Sequence, residues 1–144
     1  MENNTAIKTF IVDDDAFSLA RYEQHLLNLG YTDIQCFDNG TECLNSLTLQ
    51  PQLILLDHQM STLTGVEVLK KIKRFNPDIC VVFISGQEDV ETAVQSLKYG
   101  AFDYVVKGDN DLARIEQVLQ KMHEVNRLLK RRSKGLLTKL ISLF

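Results

Sequence analysis

Leu53-Ile54-Leu55-Leu56-Asp57 is an uninterrupted apolar run that ends in a carboxylate. A short run that is apolar on both faces is typical of a strand buried within a parallel sheet. Phe10-Ile11-Val12 repeats this arrangement and is followed by Asp13-Asp14-Asp15. A buried strand that stops at a carboxylate delivers that carboxylate to the rim of the sheet, so both acidic positions are candidates for a functional site.

Two later apolar runs end in other functional groups. Val81-Val82-Phe83-Ile84 is followed by Ser85, and Tyr104-Val105-Val106 is followed by Lys107. Because parallel strands place their carboxyl ends at one edge of a sheet, we predict that the acids, the hydroxyl and the ammonium group share that edge.

Helical patterns separate the short strand-like runs along the whole chain. The predicted strands are residues 8–12, 34–37, 53–56, 80–84 and 103–106, and the predicted helices are residues 17–29, 41–49, 66–75, 90–99 and one that begins near residue 111. The helix boundaries come from residues that end a helix, such as Gly30, Pro51 and Pro77. The chain thus contains five β-α units and no internal repeat.

Alternating strands and helices predict an α/β fold with right-handed crossovers between parallel strands. We predict a doubly wound, flavodoxin-like, five-stranded parallel sheet in the order 2-1-3-4-5, with helices on both faces. In that order the first and third strands are neighbours, and such sheets bind ligands at the switch point between them. Asp13, Asp14 and Asp57 are therefore expected to converge at one site.

Length and composition predict a single globular domain. The chain has 144 residues, of which 44% are hydrophobic, enough for one substantial core. It lacks an apolar stretch of the roughly 18 residues that a membrane span needs, and its N-terminus does not resemble a secretion signal, so we expect a cytoplasmic protein. Cys36, Cys43 and Cys80 are widely spaced among apolar residues and are expected to be free thiols.

The net charge of −3 is made up of +5 in residues 130–144 and −8 in the rest of the chain. An acidic body argues against nucleic-acid binding by the domain itself. We therefore place the domain at residues 1–129 and treat residues 130–144 as a separate basic and apolar tail. Such a tail suits contact with an anionic membrane, docking onto a partner, or the start of a linker to an output domain that this chain lacks.

The set of residues at the strand ends resembles the receiver domain of two-component response regulators. The resemblance covers about residues 6–128 and rests on the order of eight positions. These positions are the pair Asp13-Asp14, the acceptor position Asp57 with Met60 three residues later and Gly65 eight residues later, and then Ser85, Tyr104 and Lys107. Each element alone is weak evidence, whereas the complete set in this order is specific.

The resemblance implies that Asp57 accepts a phosphoryl group from a sensor histidine kinase or a phosphotransfer protein and becomes a phosphoaspartate. It also implies a Mg²⁺ ion held by Asp13, Asp14, Asp57 and the backbone carbonyl of Gln59. The chemistry of the residues agrees, because Mg²⁺ prefers oxygen ligands and a carboxylate can act as the nucleophile in phosphoryl transfer. The protein would be a switch rather than an enzyme, with only its own phosphorylation and dephosphorylation to catalyse.

The remaining roles implied by the resemblance concern binding of the phosphoryl group and its consequences. Ser85 and Lys107 would bind the phosphoryl oxygens, and Ser85 and Tyr104 would form the switch that alters the neighbouring surface. Gln59 and Gln87 occupy the positions that tune dephosphorylation. The signal would pass to a downstream effector protein or to a missing output domain, and the sequence leaves homodimerisation open.

The sequence departs from the family pattern at two places near the site. Gly108 follows Lys107 where the family usually has a proline, and Ser61 follows Met60 where a proline is also common. Each change removes a rigid φ angle, so we expect weaker preorganisation of the site with its function retained.

An aspartyl phosphatase of the haloacid dehalogenase class is the rival interpretation, because that class also uses carboxylates, a hydroxyl and a lysine on a parallel sheet. Asp13 would then be the nucleophile and Asp15 the acid. That pattern expects threonine or valine where this chain has Phe17. A third interpretation is a receiver fold that serves only as a scaffold and is never phosphorylated.

Overall fold

The computed structural model describes residues 3–86 and 90–143. The strands are β1 Thr9–Val12, β2 Ile34–Phe37, β3 Leu53–Asp57, β4 Cys80–Ser85 and β5 Asp103–Val106. The helices are α1 Ala16–Asn28, α2 Gly40–Asn45, α3 Gly65–Phe75, α4 Val90–Lys98 and α5 Asp111–Ser142, with short 3-10 helices at Asn4–Ala6 and Leu47–Leu49. The predicted elements are all present, but the second helix is shorter than predicted because its last turn tightens into the 3-10 helix.

The five strands form one parallel sheet in the order β2-β1-β3-β4-β5, which confirms the predicted topology. Val12 pairs with Leu56 across β1 and β3. The next residues along these two strands are Asp13 and Asp57, so the register alone brings both acids to the same point of the sheet edge.

Alternate residues of each strand pack into two separate cores, one on either face of the sheet. On one face the strands pack against α2 and α3 through Phe10, Val12, Ile54, Leu56, Val81, Phe83, Val68, Leu69 and Ile72. On the other face they pack against α1 and α5 through Ile11, Leu53, Leu55, Val82, Ile84, Tyr22, Leu26, Ile115, Val118 and Met122. Each such side chain stabilises the fold by roughly 1.5–3 kcal/mol when fully buried, and the rigid sheet fixes the positions of the strand ends.

The three cysteines are free thiols, as predicted. Burial raises the pKa of Cys43 and of Cys80 to about 12. Burial also raises the pKa of Cys36 to about 12, with a further contribution from its hydrogen bond to Glu23. All three are therefore protonated and unreactive at neutral pH.

Helix α5 extends well beyond the part of it that packs on the sheet. It runs without interruption from Asp111 to Ser142, although the sequence led us to separate a tail at residue 130. Its last buried residue is Met122, and the helix is exposed from Glu124 onward. Gly135 weakens the helix by about 1 kcal/mol relative to alanine, but the leucines, lysines and arginines around it are strong helix formers. Within the described ranges, no helix is long and apolar enough to cross a membrane.

Asp111 fixes the start of α5 to α1. Both oxygens of its buried carboxylate accept hydrogen bonds from the Arg21 guanidinium, at 2.7 and 2.8 Å, and Tyr22 Oη donates a third at 2.8 Å. Burial alone would raise the pKa of Asp111, but these hydrogen bonds outweigh it, and the pKa lies below its usual value. These partners are about 90 residues apart in sequence, and sequence periodicity gave no indication of this contact.

Replacing Asp111 by asparagine is expected to lower the free energy of unfolding by about 2 kcal/mol at pH 7, since Arg21 then lacks its counter-charge. Because the pKa of Asp111 is lowered in the folded state, this stabilisation is present at neutral pH. It is lost as the pH falls below about 4. Urea unfolding at several pH values measures both effects. Asp109→Asn, at an exposed neighbouring position, is the control, and equal stability of the two variants would refute the prediction.

Candidate functional site

Three carboxylates converge at the carboxyl ends of β1 and β3. Asp13, Asp14 and Asp57 each offer one oxygen, and these oxygens all lie within 4.8 Å of one another. Asp13 and Asp57 are only 1% and 3% exposed, whereas Asp14 faces solvent. The fold therefore brings these three acids together, as the sequence predicted.

Lys107 provides the positive charge that opposes this cluster. Its Nζ donates a hydrogen bond of 2.8 Å to Asp13 Oδ2 and lies 3.1 Å from Asp57 Oδ1. Its own backbone N–H donates to the carbonyl of Ser85 at 2.8 Å, which ties the end of β5 to the end of β4. No cis peptide occurs among the described residues. The peptide bond between Lys107 and Gly108 is therefore trans, and the Lys107 side chain contacts both carboxylates with this backbone.

The pKa values of the site follow from its burial and its charges. Burial raises the pKa of Asp57 to about 6, repulsion from Asp13 adds to the increase, and Lys107 opposes it. Burial alone would lower the pKa of Lys107, but the contacts with Asp13 and Asp57 outweigh that effect and raise it. Lys107 is therefore charged at neutral pH, and Asp57 is mostly ionised despite its burial.

The residues of the cluster fit a Mg²⁺ ion. Mg²⁺ binds oxygen ligands and usually retains several waters, which matches two buried carboxylates beside an exposed one. Asp57 Oδ1 is buried and has no hydrogen-bond partner within residues 3–86 and 90–143, although Lys107 Nζ lies 3.1 Å away as an ion-pair partner. A buried carboxylate oxygen without a hydrogen bond is costly and is a natural metal ligand. Gln59 lies two residues beyond Asp57 on an exposed loop.

Ser85 and Tyr104 lie on the strands next to the acidic cluster. Ser85 ends β4, is only 1% exposed, and follows Ile84, which pairs with Asp57. The Tyr104 ring is half-buried and stacks on Phe83 with 6.2 Å between ring centroids. Ser85 therefore stands at the end of β4 beside the end of β3, and Tyr104 lies on β5 opposite Phe83. The predicted tuning residue Gln87 lies outside the described part of the chain.

Asp15, the candidate acid of the phosphatase interpretation, has a structural role. Its carboxylate accepts hydrogen bonds from the Ser18 backbone N–H and hydroxyl, at 3.1 and 2.8 Å, and so caps α1. These hydrogen bonds lower the pKa of Asp15, so at neutral pH it is ionised and poorly suited to donate a proton.

Phe17 is a feature of the site rim that sequence reasoning used only as an argument against the phosphatase class. Its side chain is 77% exposed in the first turn of α1, two residues after the Asp15 cap. Phe17 lies outside the buried stripe formed by Tyr22 and Leu26. This position could have identified it from sequence, because an aromatic residue on the polar face of a helix is often a contact site.

Gly65 is required because α3 begins against the backbone of the acceptor strand. A Cβ atom at this position would lie 2.6 Å from the Asp57 carbonyl oxygen and 2.6 Å from His58 Cα. Thr64 and Glu67 form a capping box that holds the start of α3 in this place. The spacing of eight residues between Asp57 and Gly65 thus reflects a close backbone approach.

Replacing Gly65 by alanine is expected to lower the free energy of unfolding by about 1–3 kcal/mol, because the backbone at Asp57 must shift. The amide NMR signals of Asp57 and His58 should move with it. Gly108→Ala is the matched control, since a Cβ at Gly108 would meet nothing within 4 Å. Equal stability of the two variants would show that the close approach at Gly65 is not constraining.

The acids, the hydroxyl and the lysine at this sheet edge are also found together in a known family. The sequence model of the response regulator receiver domain family matches residues 9–120 of this chain. The chain belongs to the receiver domain family. Among solved structures, a CheY-like response regulator receiver domain protein from Methanospirillum hungatei is 27% identical, with a TM-score of 0.76 over 85% of this chain and 98% of that chain.

Curated relatives of this receiver domain are considerably longer proteins. Luminescence regulatory protein LuxO of Vibrio campbellii is 34% identical over 98 residues, which is 67% of this chain and 21% of that protein. Transcriptional regulatory protein ZraR of Escherichia coli is 34% identical over 124 residues, which is 83% of this chain and 28% of that protein. The chain therefore spans less than a third of the length of these relatives. None of these matches supports the haloacid dehalogenase alternative.

Proposed function

We propose that this receiver domain is a phosphorylation switch that accepts a phosphoryl group on Asp57. The donor would be the phosphohistidine of a sensor histidine kinase or of a phosphotransfer protein, in the cytoplasm. The observation that supports this best is the position of Asp57, whose buried carboxylate lies in a cluster of three acids with Lys107 Nζ only 3.1 Å away. Asp13, Asp14, Asp57 and the backbone carbonyl of Gln59 would hold Mg²⁺.

Phosphoryl transfer depends mainly on positioning and on neutralisation of charge. A bond forms between a carboxylate oxygen of Asp57 and phosphorus, while the P–N bond of the phosphohistidine breaks and leaves its electron pair on the imidazole nitrogen. Bound Mg²⁺ would supply positive charge to the phosphoryl oxygens. Lys107 supplies the second positive charge, and Ser85 can donate a hydrogen bond once the phosphoryl group is present.

The phosphoryl group would change the surface next to the site. It carries a charge of about −1.5 to −2 in place of the single negative charge of the ionised carboxylate, and this favours a conformation that draws the Ser85 hydroxyl toward it. Tyr104, which stacks on Phe83 behind Ser85, would follow that movement. A downstream effector protein, or an output domain outside this chain, would read the altered surface. Neither Gln59 nor Gln87 is acidic, so neither would act as a ready base for dephosphorylation.

Labelling with a small phosphodonor in the presence of Mg²⁺ tests this proposal. We expect one acyl phosphate, located at Asp57 by borohydride reduction and peptide mass spectrometry, and none in Asp57→Asn. Asp38→Asn, which removes an exposed acid after β2, should be labelled like the wild type. Label at Asp13, or turnover of external phosphoesters, would support a phosphatase. Absence of label would support the scaffold interpretation.

A further inference from the structure

The end of α5 forms a surface that the receiver site does not use. From Leu129 onward six large apolar side chains are between 55% and 78% exposed: Leu129, Leu136, Leu137, Leu140, Ile141 and Leu143. With one residue every 100° around a helix, they fall within an arc of about 160°. A wide apolar arc whose side chains are more than half exposed to water indicates a surface that is buried against something else.

The opposite side of the same helix is cationic. Residues 127–139 contain six lysines and arginines, and no acid follows Glu124. Arg131 lies opposite the centre of the apolar arc, Arg127 and Lys139 lie about 120° from that centre, and Arg132 and Lys134 lie just outside its two edges. Lys130 lies within the arc near one edge, where a long side chain can direct its charge outward. The helix is thus apolar on one face and basic on the other.

We propose that residues 128–143 lie on the surface of an anionic lipid bilayer. A helix with leucines on one face and lysines and arginines on the other is the form that binds in the headgroup region of such membranes. Each cation near an anionic surface strengthens binding by roughly fivefold, and the apolar arc enters the acyl boundary.

The charge and the apolar arc of the helix disfavour a second copy of this chain and nucleic acid as occupants. Two copies paired through the apolar arc would bring Lys130, Arg132 and Lys134 of each copy together along its edges, without an acid in this segment to neutralise them. Nucleic acid would neutralise the cations but would leave the leucines in water. An anionic bilayer would neutralise the cations with its headgroups and bury the leucines at the acyl boundary.

The C-terminal part of α5 leaves the domain at the amino ends of the strands, so membrane binding there is compatible with phosphorylation of Asp57 at the opposite edge. Leu129 and Lys130 border a groove that is also lined by Lys8, Gln52 and Cys80, which lie at the amino ends of β1, β3 and β4. Asp57 lies at the carboxyl ends of the strands, on the opposite edge. A bilayer bound at the helix end leaves the Asp57 edge open, and this inference does not depend on Asp57 being phosphorylated.

Co-sedimentation of the full chain with vesicles tests the inference. We expect binding to vesicles of equal parts phosphatidylglycerol and phosphatidylcholine, and at least tenfold weaker binding to phosphatidylcholine alone. Leu136→Glu/Leu140→Glu should abolish binding, and Arg131→Glu/Lys134→Glu should weaken it more than tenfold. Val94→Glu/Leu97→Glu, at positions of α4 that are 58% and 51% exposed, is the control and should bind like the wild type. Circular dichroism checks that each variant is folded.

Each alternative occupant gives a different result. Failure to bind anionic vesicles, together with a dimer that Leu136→Glu/Leu140→Glu dissociates in light scattering, would overturn the inference in favour of a second copy. Stronger binding to a DNA duplex than to anionic vesicles would also overturn it, as would the absence of any of these interactions. Asp57→Asn should bind vesicles like the wild type, which separates this test from the test of the phosphorylation switch.

Discussion

Replacing Asp57 by asparagine is expected to raise the free energy of unfolding of the metal-free protein by about 2–3 kcal/mol at pH 7. Burial raises the pKa of this carboxyl to about 6 in the folded protein, with repulsion from Asp13 as the second cause. The unfolded chain holds the same carboxyl at about 3.9. Folding must therefore accommodate a charge that the site disfavours. Asparagine has nearly the same shape and carries no charge.

The sign of this effect determines its dependence on pH. Between about pH 4 and pH 6 the folded state binds more protons at Asp57 than the unfolded state, so the contribution of Asp57 to stability is lost as the pH rises through this window. Below about pH 4 both states are protonated, and the advantage of the asparagine variant should disappear.

Thermal unfolding in the presence of a chelator, at several pH values, measures the difference between wild type and Asp57→Asn. Asp38→Asn controls for the loss of one negative charge from the same edge of the sheet. Added Mg²⁺ should stabilise the wild type more than Asp57→Asn, because the variant has lost a ligand. A variant less stable than the wild type at pH 7 would show that Lys107 more than compensates for the burial of Asp57.

The strand ends could be predicted from sequence because a short apolar run directly precedes each of them. The apolar runs before Asp13, Asp57, Ser85 and Lys107 identify buried parallel strands, and the sheet order follows from the β-α alternation. Together these facts place the functional groups at one edge without any knowledge of side-chain contacts. The sequence also singled out Gly65, eight residues after Asp57, but it did not show that the reason is a close approach between the start of α3 and the backbone at Asp57.

The contacts that the sequence could not predict join residues far apart in the chain. The interaction of Arg21 with Asp111 depends on how α1 and α5 pack, and no local pattern encodes that. The sequence placed Lys107 at the same edge as the acids but did not predict its contacts with them, since a glycine after it suggested a less organised loop. Its side chain nevertheless reaches two carboxylates, because charge attraction and the Ser85 hydrogen bond position it.

The continuation of α5 to Ser142 has a different explanation. The sequence pattern changes near residue 130, whereas the packing of α5 on the domain already ends at Met122. Helix propensity stays high there despite Gly135, so the backbone continues while the packing stops. The apolar spacing continues through Val125 and Leu129 although both side chains are exposed, so periodicity alone does not locate the end of the packing.

Replacing Lys107 by methionine is expected to lower the free energy of unfolding of the metal-free protein by about 3 kcal/mol at pH 7. The lysine Nζ contacts Asp13 Oδ2 at 2.8 Å and Asp57 Oδ1 at 3.1 Å, and the two carboxylates are at most 4% exposed. Methionine retains the apolar stem and leaves two buried acids without their cation. Urea unfolding with a chelator measures the loss, and Lys71→Met, at an exposed position of α3, is the control.

Two further measurements identify the cause of that loss. Saturating Mg²⁺ should restore most of the stability of Lys107→Met, because the ion would neutralise the same carboxylates. The substitution should also cost about 1–2 kcal/mol less in an Asp57→Asn background, since one of the charges that Lys107 opposes is then gone. Additive effects of the two substitutions would contradict this account, since the lysine would then act through packing rather than as the counter-ion of Asp57. A loss that Mg²⁺ fails to reduce would separate Lys107 from the predicted metal site.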